Sequence, residues 1–245
     1  MKKILMACDL DNTLIHSYKK KKEGDVCIEL IKGKEQGFIN DSIREKMRRL
    51  NEKVIFVPIT TRSIEQYLRI QWEQIVIPQY AVTTNGAILL DNGEKDLAWL
   101  GESDTILENY KDELSRILAL LEQEDDYIRC RSVDGMYVFA YCKEGIEAEK
   151  KVRYYREKTT LDVISSGKKI YFLPGEFNKG YALQRLKKLI RPDYIIAAGD
   201  SEIDIPMLEL ADLALCKLEI ADRVGNGNKR VFYDESSLVN TVMEL

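Results

Sequence analysis

The chain has 245 residues, 45% hydrophobic and 32% charged, with Lys+Arg 37 against Asp+Glu 41 and a formal net charge of −4. That length admits one large domain or a core with an insert, and the mild acidity argues against a nucleic-acid partner, which usually demands a basic excess. A single histidine, His16, excludes any site that needs two His ligands from one chain.

The cysteines, Cys8, Cys27, Cys130, Cys142 and Cys216, are odd in number and show no CxxC spacing. A disulfide framework or a zinc knuckle does not fit, whereas a reducing, cytoplasmic setting does. The apolar run at the start meets Asp9 too early for a signal peptide or a membrane span, so no membrane contact is expected.

Ile4 to Cys8 reads as a buried strand ending in an acidic loop. Residues 14 to 40 are polar and Lys-rich around a Gly33-Lys34 turn, which predicts a β-hairpin flap. Asn40-Asp41-Ser42 caps a helix carrying Ile43, Met47 and Leu50. Val54 to Val57 is a second buried strand, followed by a helix from Ser63 to Trp72 and short strands at 75–77, 80–82 and 87–90, with turns at Asn85-Gly86 and Asn92-Gly93. The middle third then predicts one long helix at 103–122, strands at 127–132 and 136–142, a helix at 146–158, and strands at 161–164 and 169–173. This α-β-β-α-β-β order implies an antiparallel sheet with helices on one face. Beyond Pro174-Gly175 the alternation of helix and strand returns: helix 179–189, strand 194–198, helix 205–210, strand 213–216, strand 231–233 and a last helix. The fold class is therefore α/β, a doubly wound parallel-sheet (Rossmann-like) core, 1–90 and 175–245, with an inserted α+β cap at 91–174.

Asp9-Leu10-Asp11-Asn12-Thr13 follows a buried strand, at the edge where parallel sheets bind ligands. Two carboxylates two residues apart need a cation or a shared proton, unless the stretch is only a solvated turn. Gly199-Asp200-Ser201-Glu202-Ile203-Asp204 repeats the pattern after another strand. Asp9, Asp11, Asp200 and Asp204 would converge on a hard cation with oxygen ligands, for which Mg²⁺ fits; the alternative is that Ser201 and Asp204 merely cap a helix. Thr60-Thr61-Arg62 presents hydroxyl and N–H donors at a helix start, a phosphate cradle or a plain cap. Lys179 opens a helix, where a cation is slightly unfavourable.

Together these residues resemble the haloacid dehalogenase-like phosphatase superfamily, over essentially the whole chain and in its Cof-type, sucrose-phosphate phosphatase-like branch. Asp9-Leu-Asp-Asn-Thr13 matches its first motif, Thr60 the second, Lys179 the third, and Gly199-Asp200 with Asp204 the fourth; Asn85-Gly86-Ala87 matches a further signature of the branch. The resemblance implies a Mg²⁺-dependent phosphatase acting on a small phosphorylated metabolite, a sugar or polyol phosphate. Asp9 would attack phosphorus and form an aspartyl phosphate. Asp11, holding a proton favoured by burial and the neighbouring anion, would serve as acid and then base. Thr60 and Lys179 would complete the catalytic set, with Leu10, Thr61, Arg62, Asn85 and Gly86 around the phosphate and Asp9, Asp11, Asp200 and Asp204 at the metal. A phosphomutase of the same fold and a non-catalytic phosphoryl-binding protein are the alternatives.

Three positions depart from that pattern. Ile203 stands where an Asn is usual, which removes a polar group near the metal; Thr61 stands where Gly is usual; and the hairpin at 24–40 is long enough for a lid or a homodimer contact. His16 reads as an exposed loop histidine, and Lys19 to Lys22 as a solvated charge run. Tyr127, Arg129, Arg131, Tyr137 and Tyr141 alternate on the two cap strands, either facing the site and choosing the substrate or forming a polar outer face.

Overall fold

A computed structural model describes residues 2–245. Its central sheet is parallel throughout, in the order Lys229–Val231, Leu213–Cys216, Tyr194–Gly199, Ile4–Cys8, Ile55–Pro58. These strands read as unbroken apolar runs because helices cover both faces. Leu5, Ala7, Val57 and Ala197 pack under Leu183 and Leu186 on one side. On the other, Met6, Cys8, Phe56 and Ile196 meet Ile43, Met47, Leu238 and Val239. Ile4–Cys8 lies between Tyr194–Gly199 and Ile55–Pro58. Residues 9–11, 60–62 and 199–204 therefore leave the carboxyl ends of three adjacent strands, where a doubly wound sheet opens its ligand crevice.

The inserted segment forms its own antiparallel sheet, in the order Asp162–Ser166, Lys169–Leu173, Tyr137–Cys142, Tyr127–Val133. Helices Lys111–Glu122 and Ala148–Arg156 bury Leu114, Ile117, Val152 and Tyr155 against one face of it. The hairpin Asp25–Ile31 and Lys34–Asn40 pairs further with His16–Ser17. Its two-residue turn holds Lys32 at φ 51° and Gly33 at φ 75°, the conformation that matches the right-handed twist of the flanking strands.

Several expected elements differ. The single helix at 103–122 is two helices, Leu97–Leu107 and Lys111–Glu122, broken where Tyr110 leaves helical geometry at φ −122°. The helix expected to reach Trp72 stops at Leu68, because the hairpin captures the next backbone: Gln71 N donates to Ile28 O at 2.8 Å. No strand forms at 75–77; Trp72–Gln74 is a 3-10 turn, and the Ile77 side chain is exposed. The last strand runs Lys229–Val231 rather than 231–233. His16 is buried, not exposed: its Nε2 lies 2.7 Å from Asp25 Oδ2, its Nδ1 3.7 Å from Glu235, and its ring stacks on Phe38. Among the described residues, no helix is long and apolar enough to cross a membrane.

Candidate active site

Each of the three strand ends delivers part of one polar cluster. After Cys8 the chain turns sharply, with Asn12 at φ 66° and the N–H groups of Thr13, Leu14 and Ile15 all returning to Leu10 O. This turn buries Leu10 and Asp9 and leaves the Asp11 side chain partly exposed. Lys179, at the first position of helix Lys179–Ile190, is fully buried and donates to Asp9 Oδ1 at 2.5 Å and Asp204 Oδ1 at 2.6 Å. Asp204 Oδ2 accepts from the N–H groups of Asp200 and Ser201, both at 3.0 Å, and from Ser201 Oγ at 3.1 Å. Asp204 thus spends both oxygens on shaping the 199–204 turn and anchoring Lys179. Gly199 is required there: a Cβ on it would stand 2.3 Å from Asp204 Cβ.

The electrostatics follow from burial. Burial pushes the Asp9 carboxyl up, Lys179 pulls it down, and the charges of Asp204 and Asp200 add to the rise. Burial would lower the Lys179 ammonium, but Asp204 and then Asp9 hold it above its ordinary range. Burial and then the Asp204 charge push Asp200 up to about 6. Carboxylate oxygens of Asp9, Asp200 and Asp204 lie within 4.8 Å of one another. One ammonium among three clustered carboxylates leaves an excess of hard oxygen donors, a set that suits a divalent cation such as Mg²⁺.

Asp11 differs from expectation. Burial alone would raise it, but Arg62 grips it with a fork, Nε to Oδ2 at 2.9 Å and Nη2 to Oδ1 at 2.8 Å, and holds it below the ordinary range. In this arrangement Asp11 is an ionised carboxylate rather than an acid holding a proton. Arg62 also donates through Nη1 to Glu29 at 2.9 Å, and Arg69 donates to the other Glu29 oxygen at 3.2 Å. Glu29 is buried, and Gly37 on the paired strand makes room for it: a Cβ there would stand 2.9 Å from Glu29 Oε2.

The remaining expected residues occupy distinct places. Thr60 is buried, and its Oγ1 accepts from Arg62 N at 3.2 Å. Thr61 lines the cavity above Asp11. Asn85 is fully buried at φ 54°, and its Nδ2 donates to Phe177 O at 2.7 Å; Gly86, at φ 105°, packs on Asn178 O. Both therefore brace the segment that leads into Lys179. Thr13, not among the expected site residues, donates to Asp9 Oδ2 at 3.1 Å and lies 3.4 Å from Asp200 Oδ1. Its place at the end of the first motif was the available signal. Glu29 and Arg69 carried no such signal, since only tertiary pairing brings them to Arg62.

Beneath the cap lies a cavity of about 380 Å³ that Asp11, Thr61 and Arg62 line, whereas Asp9, Thr60, Lys179 and Asp200 do not reach its wall. Arg129, Arg131, Tyr137 and Tyr141 line it, whereas Tyr127 does not. The cause is an irregularity in pairing: Tyr141 opposes Arg129, yet Cys142 opposes Tyr127, so Ile128 is the extra residue. Such a bulge switches the face of what precedes it, which sends Tyr127 into the core under the helices. Several contacts seat the cap. Tyr137 donates to Thr61 O at 2.7 Å; Asp134 accepts from Ile64 N at 3.0 Å and Thr84 Oγ1 at 2.5 Å; and Ile203 packs with Val133, Tyr137, Tyr171 and Leu173. Ile203 thus takes an apolar seat under the cap where the resemblance expects a polar side chain.

A family model described as sucrose-6F-phosphate phosphohydrolase matches residues 2–217. No curated protein sequence matches the chain significantly. Among solved structures, the sucrose-phosphatase of Synechocystis sp. PCC6803, in complex with sucrose and phosphate, is similar over 100% of this chain and 98% of that one, with 17% identity and a TM-score of 0.73. A haloacid dehalogenase-like hydrolase from B. subtilis is similar over 100% of both chains, at 17% identity and a TM-score of 0.63. A Thermoplasma acidophilum protein is similar over 100% of this chain and 97% of that one, at 16% identity and a TM-score of 0.64. At these identities the structures speak for a shared fold.

Proposed function

The chain belongs to the sucrose-6F-phosphate phosphohydrolase family, and on that premise we propose that it removes phosphate from a small phosphorylated metabolite, a sugar or polyol phosphate, through an aspartyl phosphate on Asp9 with Mg²⁺ as cofactor. Phosphoric monoester hydrolysis is the activity of its family. The observation that carries the finer reading is Lys179 held between Asp9 and Asp204, with Asp200 alongside. The sugar class draws support from the sucrose and phosphate in the Synechocystis sucrose-phosphatase.

Asp9 Oδ would attack phosphorus in line, and the bond to the leaving oxygen would break. Asp11, protonated from solvent once Arg62 lets go of it, would give that oxygen its proton, then take one from the water that hydrolyses the aspartyl phosphate and frees Asp9 and inorganic phosphate. To do so it must first be released by Arg62, and a substrate that draws the guanidinium onto its own oxygens would release it. Lys179 keeps Asp9 aimed, offsets its charge and, with Thr60, holds phosphoryl oxygens. Asp9, Asp200 and the Asp11 backbone would hold Mg²⁺, with Asp204 in support. When bound, the ion neutralises charge on the transferring group. A division near residues 90 and 175 would then separate a core that does chemistry from a cap that chooses the substrate.

The test is phosphate release from an aryl phosphate and a panel of sugar and polyol phosphates. Wild type should turn over with Mg²⁺ and stop with a chelator, and Asp9→Asn should lose at least about 10³-fold in kcat. Undiminished turnover in Asp9→Asn overturns the mechanism.

A further inference from the structure

The underside of the cap has a charge pattern that a neutral sugar does not explain. Strand register sets it out as a grid. Arg129 opposes Tyr141, which opposes Lys169; Arg131 opposes Phe139, which opposes Tyr171. All six line the cavity above Asp11. Of the cavity's cations, Arg62 and Arg69 are balanced by Asp11 and Glu29 from the core side. Among the described residues Arg129 and Arg131 form no ion pair, and neither does Lys169, although it lies near enough to feel the Asp11 charge. Arg131 is the sharpest case, for its Nε is buried without any hydrogen-bond partner. A buried donor left unmet is unfavourable, and a ligand reaching it would remove that penalty.

Sugar hydroxyls ask for acceptors as well as donors, whereas guanidinium and ammonium groups only donate. Of the cavity's two carboxylates, Glu29 is engaged by Arg62 and Arg69 and Asp11 is reserved for the leaving oxygen, which leaves few acceptors, such as Gln36 and the Tyr141 hydroxyl, against several cations. The roof is therefore a surface for acceptor-rich, negatively charged groups, with Arg suited to the two-oxygen edge of a carboxylate or phosphate. The phosphoryl group to be transferred has its own partners below, at Asp9, Thr60 and Lys179. The roof cations are left for something else, and Phe139, Tyr141 and Tyr171 supply the apolar surface for the carbon frame that joins the two ends.

We propose that the substrate carries a second anionic group on its sugar or polyol frame, a carboxylate or another phosphate, seated by Arg129, Arg131 and Lys169 beneath the cap. This rests on the phosphatase reading above and narrows its substrate class.

The experiment uses the full chain with Mg²⁺ and two matched pairs of substrates. Glycerol 3-phosphate against 3-phosphoglycerate tests a carboxylate, and fructose 6-phosphate against fructose 1,6-bisphosphate tests a second phosphate. The doubly anionic member of at least one pair should show a kcat/KM higher by about tenfold or more, as a charged hydrogen bond of about 1.5–3 kcal/mol provides. The gain should lie mostly in KM and shrink with added salt. Arg131→Met should bring the ratio within a pair close to one. Lys168→Met, on the neighbouring residue that pairs with Glu144 outside the cavity, should keep the ratio. Equal efficiency within both pairs overturns the proposal, and so does a preference that survives in Arg131→Met. Silence towards every substrate, the aryl phosphate included, would count against the phosphatase reading instead. Thermal shift by 3-phosphoglycerate and fructose 1,6-bisphosphate, against their singly anionic partners, then decides the second-anion site: a larger shift for a doubly anionic member that Arg131→Met abolishes supports it, and equal shifts within both pairs overturn it.

Discussion

Replacing Asp200 by Asn should stabilise the metal-free protein at neutral pH and cost it its response to Mg²⁺. In the folded chain, burial and the Asp204 charge push Asp200 up to about 6 from an ordinary 3.8. Between those values the folded state binds more protons than the unfolded one. The stability contributed by protonated Asp200 is therefore complete below about pH 4 and is lost as pH rises through about 6. A gap of about two pH units corresponds to about 3 kcal/mol, an upper limit for this partly buried group. Asn carries no such loss, so the variant should match wild type near pH 4 and exceed it by up to about 3 kcal/mol above pH 7, in chelator. Mg²⁺ at about a hundredfold its Kd should then stabilise wild type by about 2.7 kcal/mol and the variant far less. Urea unfolding at both pH values, with chelator and with Mg²⁺, reads all four quantities. An Asn variant less stable than wild type above pH 7 in chelator, or one that Mg²⁺ stabilises equally, refutes the reasoning.

Gly199→Ala puts a Cβ 2.3 Å from Asp204 Cβ; it should lower stability by about 1–3 kcal/mol and reduce turnover sharply, and an unchanged urea midpoint would contradict the close approach. Glu29→Gln leaves Arg62 and Arg69 without their shared buried carboxylate and should cost about 3–5 kcal/mol. Breaking the exposed Lys21–Glu35 pair should cost under about 1 kcal/mol, and equal losses in the two unfolding curves would refute a buried network. Tyr137→Phe removes the donor to Thr61 O and should weaken cap closure by about 1–3 kcal/mol. It should appear as a raised KM and faster proteolysis between core and cap, and parity with wild type in both would show that the contact does not hold the cap.

What could be read from the chain alone was the part that local pattern determines. An apolar run followed by Asp9-Leu10-Asp11, or by Gly199-Asp200, is a strand and its carboxyl end, and a parallel sheet brings such ends together without further information. What could not be read depends on which strands pair, and how. The faces of the cap strand flip at Ile128 because of its partner's register, so strict alternation misplaced Tyr127 and matched the rest. The Arg62–Asp11 fork joins residues 51 apart, and it reverses the charge state expected of Asp11. His16 looked exposed because only the folded hairpin brings Asp25 to it and only tertiary packing brings Glu235.

Two of the departures from the family pattern share one neighbour. Thr61 offers its carbonyl to the Tyr137 hydroxyl, and Ile203 packs against the same residue in an apolar cluster with Val133, Tyr171 and Leu173. A Gly at 61 would make that backbone more mobile, and an Asn at 203 would bring an amide into an apolar contact that offers it no partner. Both substitutions therefore favour a cap held shut on the core. Closure matters more here than in a cap that reads a neutral ligand. Arg129 and Lys169 are exposed and Arg131 is half-buried, so they act on an anion only at short range, since in water the attraction falls to about 1 kcal/mol per contact. The residues that seat the cap and the residues that line it serve one arrangement: the first hold the cationic roof close enough for the second to discriminate by charge.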